Sequence, residues 1–408
     1  MHCSRKIIFL NRFFAPDHSA TSQLLSDLAV DLAHRGIPVH VITSRMRYDD
    51  PLDRLPSEET VDAVQVHRVW SSRFGRHFLP GRAIDYLTFH LSAALMLFRW
   101  ARPKDLVVVL TDPPLLAVTQ WPVIRLRHAA LLTWNQDVFP EVATLLGVRP
   151  LGRQGIRLLQ RWRNHTWQQA SRNVVLGDRM AERLRGEAIP AERIRVIHNW
   201  SDGQTITPIR AEENPLRTAW GLTDFFVVGY SGNLGRAHEL DTLLAAAEQL
   251  KQHPRIRFLF IGGGAGQARL AARIKTAQLT NILLQPYQPR AMLPYSLTLP
   301  DIHWLSLLPS LEGLIVPSKW YGILAAGRPT LYIGDQQGEI PPLLQAAGCG
   351  VTCRVGDSQA VARQLVAWAD NPRLCQQMGE AARQLFMERF DRTIALTAWH
   401  QLIQDASR

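Results

Sequence analysis

The segment formed by residues 312–329 holds the side chains best suited to chemistry. It reads EGLIVPSKWYGILAAGRP. Pro317 and Ser318 predict the start of a short helix, with Ser318 as its cap, and the closing Gly-Arg-Pro run predicts its end. Lys319 then falls in the first turn, where the helix dipole disfavours a cation. A bound diphosphate would give this lysine a purpose, because the helix N-terminus and the ammonium would act on one charge; a solvent-facing lysine is the alternative.

Two glycine-rich loops follow strand-like runs in the same half of the chain. Residues 231–236 read SGNLGR, and small residues there would let backbone N–H groups approach an anion at a helix N-terminus, with Arg236 adding a charge. An ordinary tight turn is equally compatible. Residues 261–266 read IGGGAG, but the G-x-G-x-x-G register fails and no acidic residue follows about 20 positions later, so NAD binding is not expected. A loop that admits some ligand close to its backbone remains open.

Several common chemistries have no motif in this sequence. It contains no G-K-[ST] phosphate loop, no H-E-x-x-H, no G-x-S-x-G and no D-x-D carboxylate pair, so we predict no metal and no cofactor. Any leaving phosphate would have to be stabilised by protein cations and helix ends. The cysteines, at positions 3, 349, 353 and 375, suit neither a disulfide framework nor a zinc site, which predicts idle thiols in a reducing compartment.

The charge of the chain points to an anionic partner. The 408 residues carry a formal net charge of +11, which favours nucleic acid, a phosphorylated small molecule or an acidic lipid surface as partner. Residues 1–204 hold 27 Lys+Arg and 19 Asp+Glu, a net +8, and the remainder accounts for +3. Two stretches concentrate the excess, at 68–104 and at 149–172.

The elements that position these residues alternate between short apolar runs and amphipathic stretches. Thirteen strand-like runs are visible, seven before residue 200 and six after it, and several are continuously apolar as in buried parallel strands. This pattern predicts an α/β fold with two doubly wound, Rossmann-like units. We place the first at 1–200, a linker at 201–215 and the second at 216–388, with a final helix at 389–408 packing back on the first. Ligands are expected at the carboxyl ends of the strands.

Four segments resemble the family-4 retaining glycosyltransferases of the GT-B fold, in particular those of O-antigen, exopolysaccharide and colanic-acid biosynthesis. They are residues 14–25 (FAPDHSATSQLL), 134–141 (WNQDVFPE), 230–244 (YSGNLGRAHELDTLL) and 312–329. The likeness extends over nearly the whole chain. It implies two Rossmann-like domains facing a central cleft, with a nucleotide diphosphate sugar bound mainly by the C-terminal domain and the acceptor by the N-terminal one.

The resemblance assigns roles to individual residues. From the resemblance and the residue patterns together we expect catalytic roles for Asp137, Glu312, Lys319 and Arg236. The donor-binding residues expected on the same grounds are Gly232, Asn233, Gly235, His238, Gly263, Tyr287, Gln288, Gly313, Pro317, Ser318 and Glu339. The family carries an arginine and a lysine on its first loop, where this chain has Asn233 and His238, and a second glutamate where this chain has Gly322. We therefore expect Lys319 and Arg236 to neutralise the diphosphate.

On the acceptor side, Asp137 corresponds to one of the family's polar pair, and Gln136 stands where a histidine is common. Asp137 would orient or deprotonate an acceptor hydroxyl, unless it only caps the helix that follows. His18, Ser19 and Thr21 stand where the family has a loop that approaches the phosphates, with capping of the next helix as the alternative.

Two helical stretches bear on membrane association. Residues 83–100 are largely apolar and short for a span, so a buried helix is expected, with an interfacial helix as the alternative. Residues 153–172 interleave arginines with Leu158, Leu159, Trp162 and Trp167, which suits a helix lying on anionic lipid, unless the tryptophans pack inward.

These observations together predict a cytoplasmic enzyme, peripheral on the inner face of the plasma membrane. It would transfer a sugar from a nucleotide sugar to a lipid-linked saccharide acceptor, with retention and without metal. The alternatives are a GT-B sugar-nucleotide epimerase or phosphorylase and, from another class, a basic nucleic-acid-binding protein. We expect no nucleic-acid partner, because the basic stretches carry hydrophobic anchors and no recognition module.

Overall fold

The computed structural model describes residues 5–47, 53–75, 79–148 and 152–406. Cys3 and Arg149 lie outside the described residues. The chain divides into two compact units. One comprises the described residues up to His198 together with those from Leu396 onwards, and the other comprises Asn199–Ala395.

The first unit is built on a mostly parallel sheet. Its strands are β1 (Ile7–Leu10), β2 (Val39–Ser44), β3 (Glu58–Val61), β4 (Val64–Val69), β5 (Leu106–Leu110), β6 (Ala130–Trp134), β7 (Arg172–Val175) and β8 (Ile194–Val196). They run in the order β3-β4-β2-β1-β5-β6-β7-β8, and the pairing of β3 with β4 is antiparallel. Every residue of β1 and β5 is buried, as expected for strands covered on both faces.

Helices cover this sheet. They are α1 (Ala20–His34), α2 (Leu79–Trp100), α3 (Leu116–Leu126), α4 (Glu141–Leu145), α5 (Arg153–Gln169) and α6 (Asp178–Gly186). The core between sheet and helices includes Ile8, Val107, Val109, Phe89 and Leu97.

The edge strand β3 is absent from the sequence-based prediction. Its residues alternate between exposed and half-buried, so they show no apolar run. The turn that joins it to β4 consists of Asp62 and Ala63, both with positive φ (45° and 68°). Asn-Gly or Asp-Gly is the usual signal for such a hairpin turn, and it is missing here.

Two helices differ from what the sequence predicts. In α5, Trp167 is buried and donates to Asn135 Oδ1 at 3.0 Å, while the buried Arg163 pairs with Glu141 at 2.5 Å. The prediction that α5 lies on lipid with both tryptophans as anchors is therefore wrong for Trp167, and Arg163 is a structural cation. The expectation that α2 is simply buried is also wrong, because one of its faces is exposed.

The second unit contains a fully parallel sheet. Its strands are β9 (Phe226–Asn233), β10 (Ile256–Gly263), β11 (Ile282–Gln285), β12 (Ile302–Ser306), β13 (Thr330–Ile333) and β14 (Gly350–Cys353), in the order β11-β10-β9-β12-β13-β14. The helices are α7 (Pro215–Ala219), α8 (Asp241–Gln249), α9 (Gln267–Ala277), α10 (Leu293–Thr298), α11 (Lys319–Ala325), α12 (Pro341–Ala347), α13 (Ser358–Ala369) and α14 (Pro372–Arg389). A large apolar cluster joins the sheet to α8 and α13.

The last helix, α15 (Arg392–Asp405), starts in the second unit, and from Leu396 onwards it belongs to the first. Its Trp399 is fully buried, with its ring centroid 4.6 Å from that of Trp134 on β6. Residues 201–215 pack within the second unit, where the Arg383 guanidinium donates to the carbonyls of Gly203 and Ile206.

Candidate functional site

Lys319 lies at the first position of α11 and is largely withdrawn from water. Its Nζ is 3.1 Å from His238 Nε2 and 5.2 Å from the centroid of the Tyr230 ring. No described carboxylate lies within ion-pair distance of it, and burial lowers the pKa of Lys319 to about 8. The alternative of a solvent-facing lysine is therefore wrong. A recessed cation without an anionic partner is suited to an anionic ligand.

His238 holds this lysine through a fixed tautomer. Its Nδ1 lies 2.8 Å from the carbonyl oxygen of Ser306, so Nδ1 carries the proton and donates. Its Nε2 is then free of hydrogen and accepts from the Lys319 ammonium. Burial, followed by the nearby lysine charge, lowers the pKa of His238 to about 3, which keeps the ring neutral.

The loop that carries His238 is tied to its neighbours at several points. The Ser306 hydroxyl donates to the carbonyl of Glu239 at 2.9 Å, and the Leu308 N–H donates to the carbonyl of Ala237 at 2.9 Å. Tyr230 packs edge-on against the His238 ring and donates its hydroxyl proton to the carbonyl of Asn233. His238 is thereby held in place from two sides.

The two glycine-rich loops pack against each other, and neither is shown to form the N-terminus of α8. Gly232 and Asn233 lie on β9 and pair with Gly262 and Gly263 of β10, whereas α8 begins only at Asp241. The prediction of an anion site at a helix N-terminus after β9 is therefore wrong. A Cβ on Gly264, whose φ is +122°, would lie 2.1 Å from Asn233 Oδ1, so close packing of the loops requires this glycine.

Gly232 nevertheless borders the lysine. A Cβ at this position would lie 2.8 Å from Lys319 Cε, so the absence of a side chain leaves room for the lysine stem. Gly235 lies further along the loop, and Arg236 is exposed with no hydrogen bond or ion pair to the described residues. The structure thus brings Lys319 and His238 together and leaves the Arg236 side chain in solvent.

Glu312 is held rigidly near the carboxyl end of β13. Its Oε1 accepts from the Tyr332 hydroxyl at 2.6 Å, and its Oε2 accepts from the Glu339 N–H at 3.2 Å. Burial raises the pKa of Glu312, against the opposing effect of the Tyr332 hydrogen bond. Gly338 is required here because a Cβ would lie 2.3 Å from the carboxylate.

The structure shows the local backbone environment of three other predicted residues of the segment 312–329. Ser318 occupies the cap position of α11, but its side chain makes no capping hydrogen bond, so the predicted cap is wrong. Pro317 accepts from the Trp320 N–H in the first turn, and Gly313 has a φ of +71°.

Tyr287 is 59% exposed, and its ring lies over the backbone of β10, 3.3 Å from where a Cβ on Gly263 would stand. Gln288 donates its side-chain amide to the carbonyl of Pro286 at 2.9 Å. An exposed aromatic ring beside a glycine strand offers a flat surface on which a base can stack.

In the first unit, Asp137 follows β6 and borders a cavity of about 30 Å³, room for a single water. Burial, and to a lesser extent the nearby Asp112 carboxylate, raise the pKa of Asp137 to about 7. It is not a helix cap, because α4 begins at Glu141 with Pro140 at the cap position. A carboxyl group that titrates near neutrality is suited to proton transfer.

The other predicted acceptor-side residues surround the start of α1 or precede Asp137. Ser19 is the cap residue of α1, yet its hydroxyl makes no capping bond and no hydrogen bond within the described structure. His18 is exposed, and the Thr21 hydroxyl lies 3.5 Å from Asn11 Nδ2. The Gln136 N–H donates to the Thr111 hydroxyl at 3.2 Å.

Three partner residues escaped the sequence-based prediction, namely Tyr230, Ser306 and Tyr332. Each lies within an apolar strand, where it reads as part of the core. A polar hydroxyl inside an apolar strand that ends at a candidate loop is the signal that could have identified them.

The described residues show no group of His, Cys, Asp and Glu arranged to hold a metal ion. Cys349, Cys353 and Cys375 are buried and free, and burial raises the pKa of each thiol. Within the described ranges, none of the helices has the length and apolarity needed to cross a bilayer.

Two protein families match consecutive parts of the chain. Residues 21–200 match the glycosyl transferase 4-like domain, and residues 215–385 match the glycosyl transferases group 1. Together the two matches span both units.

Curated relatives agree with this assignment. The chain is 29% identical over 266 residues, 64% of its length, to a probable glycosyltransferase WbjE of Pseudomonas aeruginosa. It is also 29% identical over 161 residues, 39% of its length, to the putative colanic acid biosynthesis glycosyl transferase WcaI of Escherichia coli. These matches span 66% and 39% of the relatives' own lengths.

Solved structures share the fold along the whole chain. A sucrose-phosphate synthase from Thermosynechococcus elongatus superposes with a TM-score of 0.78 at 16% identity, over 98% of each chain. Anabaena Alr3699/HepE in complex with UDP-glucose gives 0.73 at 15% identity, over 98% of this chain and 99% of its own. These likenesses, with the two parallel sheets, confirm the predicted fold class.

Proposed function

Because this chain belongs to the GT-B glycosyltransferases that join a 4-like domain to a group 1 domain, we propose that it transfers a sugar from a nucleotide diphosphate sugar to a lipid-linked saccharide. The proposed reaction retains the anomeric configuration and needs no metal. The proposed setting is surface-polysaccharide synthesis on the cytoplasmic face of the plasma membrane. The name of one relative, which refers to colanic acid biosynthesis, supports polysaccharide synthesis as the setting.

The observation that carries this proposal is the recessed cation formed by Lys319. As the bond between sugar and diphosphate breaks, negative charge develops on the leaving nucleoside diphosphate. Lys319 is already desolvated and is held by the neutral His238, so its ammonium needs no reorganisation to meet that charge. Arg236 is exposed, so in this proposal it reaches the diphosphate only after its side chain reorients.

Other residues of the second unit have supporting roles in the proposal. Tyr287 offers a ring for the base, and Gly232 and Gly263 keep side chains away from the donor. Glu312 and the backbone of Gly313 lie by the donor sugar, with Glu339 on the adjacent loop. The UDP-glucose held by HepE, a protein of the same fold, supports a nucleotide sugar as donor.

The metal-free character of the reaction is supported by the sequence. Enzymes that hold a donor diphosphate through a metal need a carboxylate pair, and this chain has no D-x-D motif. Lys319 would supply the positive charge instead.

On the acceptor side, Asp137 is placed to receive or orient a hydroxyl proton. Its pKa of about 7 gives a mixture of protonation states near neutral pH, which is the condition for an efficient general base. Ser19, with a buried hydroxyl that lacks a partner, is the second group offered to a polar substrate.

A donor screen tests the proposal. The protein is incubated with each nucleotide sugar and a polyprenyl-diphosphate-linked saccharide, with and without EDTA, and nucleotide release and the anomer of the product are measured. We expect acceptor-dependent release, an axial or equatorial linkage that matches the donor, and no effect of EDTA. Nucleotide release without acceptor would indicate an epimerase, a requirement for orthophosphate would indicate a phosphorylase, and inversion or loss of activity in EDTA would refute the mechanism.

A further inference from the structure

Helix α2 carries apolar side chains on two opposite faces. Its inner face, which includes Phe89, Ala93 and Leu97, is fully buried against the sheet. Its outer face exposes five large apolar side chains at intervals of three or four residues, which places them along one stripe of the helix. These are Ile84, Leu87, Leu91, Leu95 and Phe98.

This outer face contains no charge. Between Asp85 and Arg99 the helix has no Asp, Glu, Lys or Arg, its His90 is buried, and Leu95 is 73% exposed. From Ile84 to Phe98 the stripe is about 21 Å long, far larger than the isolated apolar side chains of ordinary surfaces.

The apolar surface continues onto the neighbouring helix. Leu126, the last residue of α3, is 65% exposed, and the next residue, Arg127, stacks its guanidinium over the Phe98 ring at 5.3 Å. The ends of α2 and α3 therefore form one surface in which an arginine lies flat on the apolar stripe.

The charges around this surface are almost all positive. Residues 82–127 contain six Lys and Arg residues and only three acidic ones. Two of the three acids, Asp85 and Asp105, are buried. Exposed cations lie in the last turns of the two helices or just beyond α2: Arg99, Arg102, Lys104 and Arg125.

A buried carboxylate fixes a second exposed apolar element to α2. Asp85 accepts from the Ser72 hydroxyl at 2.7 Å and from the N–H groups of Phe74 and Gly75 at 3.0 Å each. The segment held in this way exposes Phe74, and Trp70 just before it is also exposed. An aromatic segment is thus fastened to the first turns of the helix that carries the stripe.

We propose that the outer face of α2, together with Leu126, is the surface on which the protein lies on an anionic lipid bilayer. An uncharged helix face edged by arginines, with aromatic residues beside it, has the composition of an interfacial helix. The cations match the negative surface potential of anionic lipid. A second copy of the chain is a poorer occupant, because a symmetric pair would bring the same cations together.

The proposed lipid-binding surface is this one and not α5. Of the four apolar residues predicted as anchors on α5, only Leu158 and Trp162 are exposed, and Leu159 is half-buried. The inference rests on the proposed function only for its purpose, since a lipid-linked acceptor lies at such a membrane. Binding to lipid is measured without donor or acceptor, so failure of the transfer reaction leaves the result interpretable.

Vesicle flotation tests the proposal. Vesicles of phosphatidylglycerol with phosphatidylethanolamine are compared with vesicles of phosphatidylcholine, using the full chain. We expect the Leu91→Glu/Leu95→Glu variant to lose at least about tenfold in partitioning to the anionic vesicles, since two large apolar side chains leave the lipid. The Arg99→Gln/Arg125→Gln variant should lose about fivefold for each charge on anionic vesicles and nothing on phosphatidylcholine.

The matched control is the Leu158→Glu/Trp162→Glu variant on α5, which should bind like the wild type. Unchanged binding of the α2 variant, or loss in the α5 variant alone, would overturn the proposal. So would a wild-type protein that ignores anionic vesicles and forms a dimer that the α2 variant splits, because a second copy would then cover the face. All four positions changed in these two variants are exposed, and far-ultraviolet circular dichroism checks that each variant is folded.

A second measurement does not depend on loss of binding. A Leu95→Cys variant in a Cys3→Ser background is labelled with an environment-sensitive fluorophore, which should shift to the blue when anionic vesicles are added. A label at Leu374→Cys, an exposed leucine of the second unit, should not respond. No shift at position 95 would contradict the proposal even if the protein binds vesicles.

Discussion

Replacing His238 by phenylalanine tests how Lys319 is kept charged. The ring volume is preserved, but Lys319 loses the acceptor that lies 3.1 Å from its Nζ. A hydrogen bond to a charged group contributes about 1.5–3 kcal/mol, which corresponds to a pKa change of about 1–2 units. The bond favours the ammonium, so its removal should lower the pKa of Lys319 from about 8 to about 6–7.

The kinetic consequence follows from the proposed role of the lysine. Since kcat/KM reports the free enzyme, its alkaline limb should follow the loss of the Lys319 proton near pH 8. In the His238→Phe variant this limb should move about 1–2 units to lower pH. At pH 7.5 the charged fraction of Lys319 would fall from about three-quarters to between about a quarter and about 3%.

The assay is a pH profile of kcat/KM for nucleotide release with saturating acceptor. His238→Gln, which restores an acceptor oxygen, should bring the limb part of the way back. The matched control is His303→Phe, which removes another buried neutral histidine that bonds a backbone carbonyl but has no lysine partner. An alkaline limb that stays in place in His238→Phe, or that moves equally in the His303 variant, would refute the reasoning.

Three further outcomes are expected. Lys319→Ala should reduce turnover at least about 100-fold, as loss of a charge-stabilising group does, measured at saturating donor. Asp137→Asn should remove the acidic limb of the pH profile near pH 7, because ionisation of that carboxyl group would no longer be needed, and should lower kcat by about 10²-fold or more. Gly264→Ala should lower the free energy of unfolding by more than about 2 kcal/mol in urea titration, because its Cβ would meet Asn233 and its φ is positive.

Each of these three predictions has a control that distinguishes the proposed effect from an unrelated one. Arg236→Ala, in the same loop region but exposed, should reduce turnover much less than Lys319→Ala, and equal effects would remove the distinction drawn between them. An acidic limb that survives Asp137→Asn would assign it to another group. Gly356 also has a positive φ, but open space surrounds it. If Gly356→Ala lowered the free energy of unfolding as much as Gly264→Ala, the loss at Gly264 would come from backbone strain and not from the contact with Asn233.

The parts of the fold that were readable from the sequence are those set by continuous apolar runs. All the strands predicted at the centres of both sheets are present, because burial on both faces makes them mostly apolar, with few polar residues such as His303 and Ser306. The strand β3 could not be read, since an edge strand with alternating exposure and an Asp-Ala turn carries neither signal.

The site was readable as residue types and not as contacts. The position of Lys319 in a first helical turn was visible, but its neutral partner His238 comes from a loop 81 residues earlier and depends on a tautomer set by a backbone carbonyl. The outer face of α2 was hidden for a related reason. A sequence that is apolar on every face of a helix predicts a buried helix. Only the structure shows which face packs on the sheet and which face stays exposed to solvent.

The burial of Trp399 against Trp134 has a consequence for biosynthesis. The ribosome must make more than half of the chain after Trp134 before its partner emerges, which at about 5–20 residues per second takes roughly 10–50 s. Once β8 has been made, the first unit has all of its sheet strands, but its core still lacks the Trp399 side chain that packs on Trp134. A nascent chain that stops short of Trp399 therefore leaves the Trp134 ring without the partner that packs on it in the folded protein.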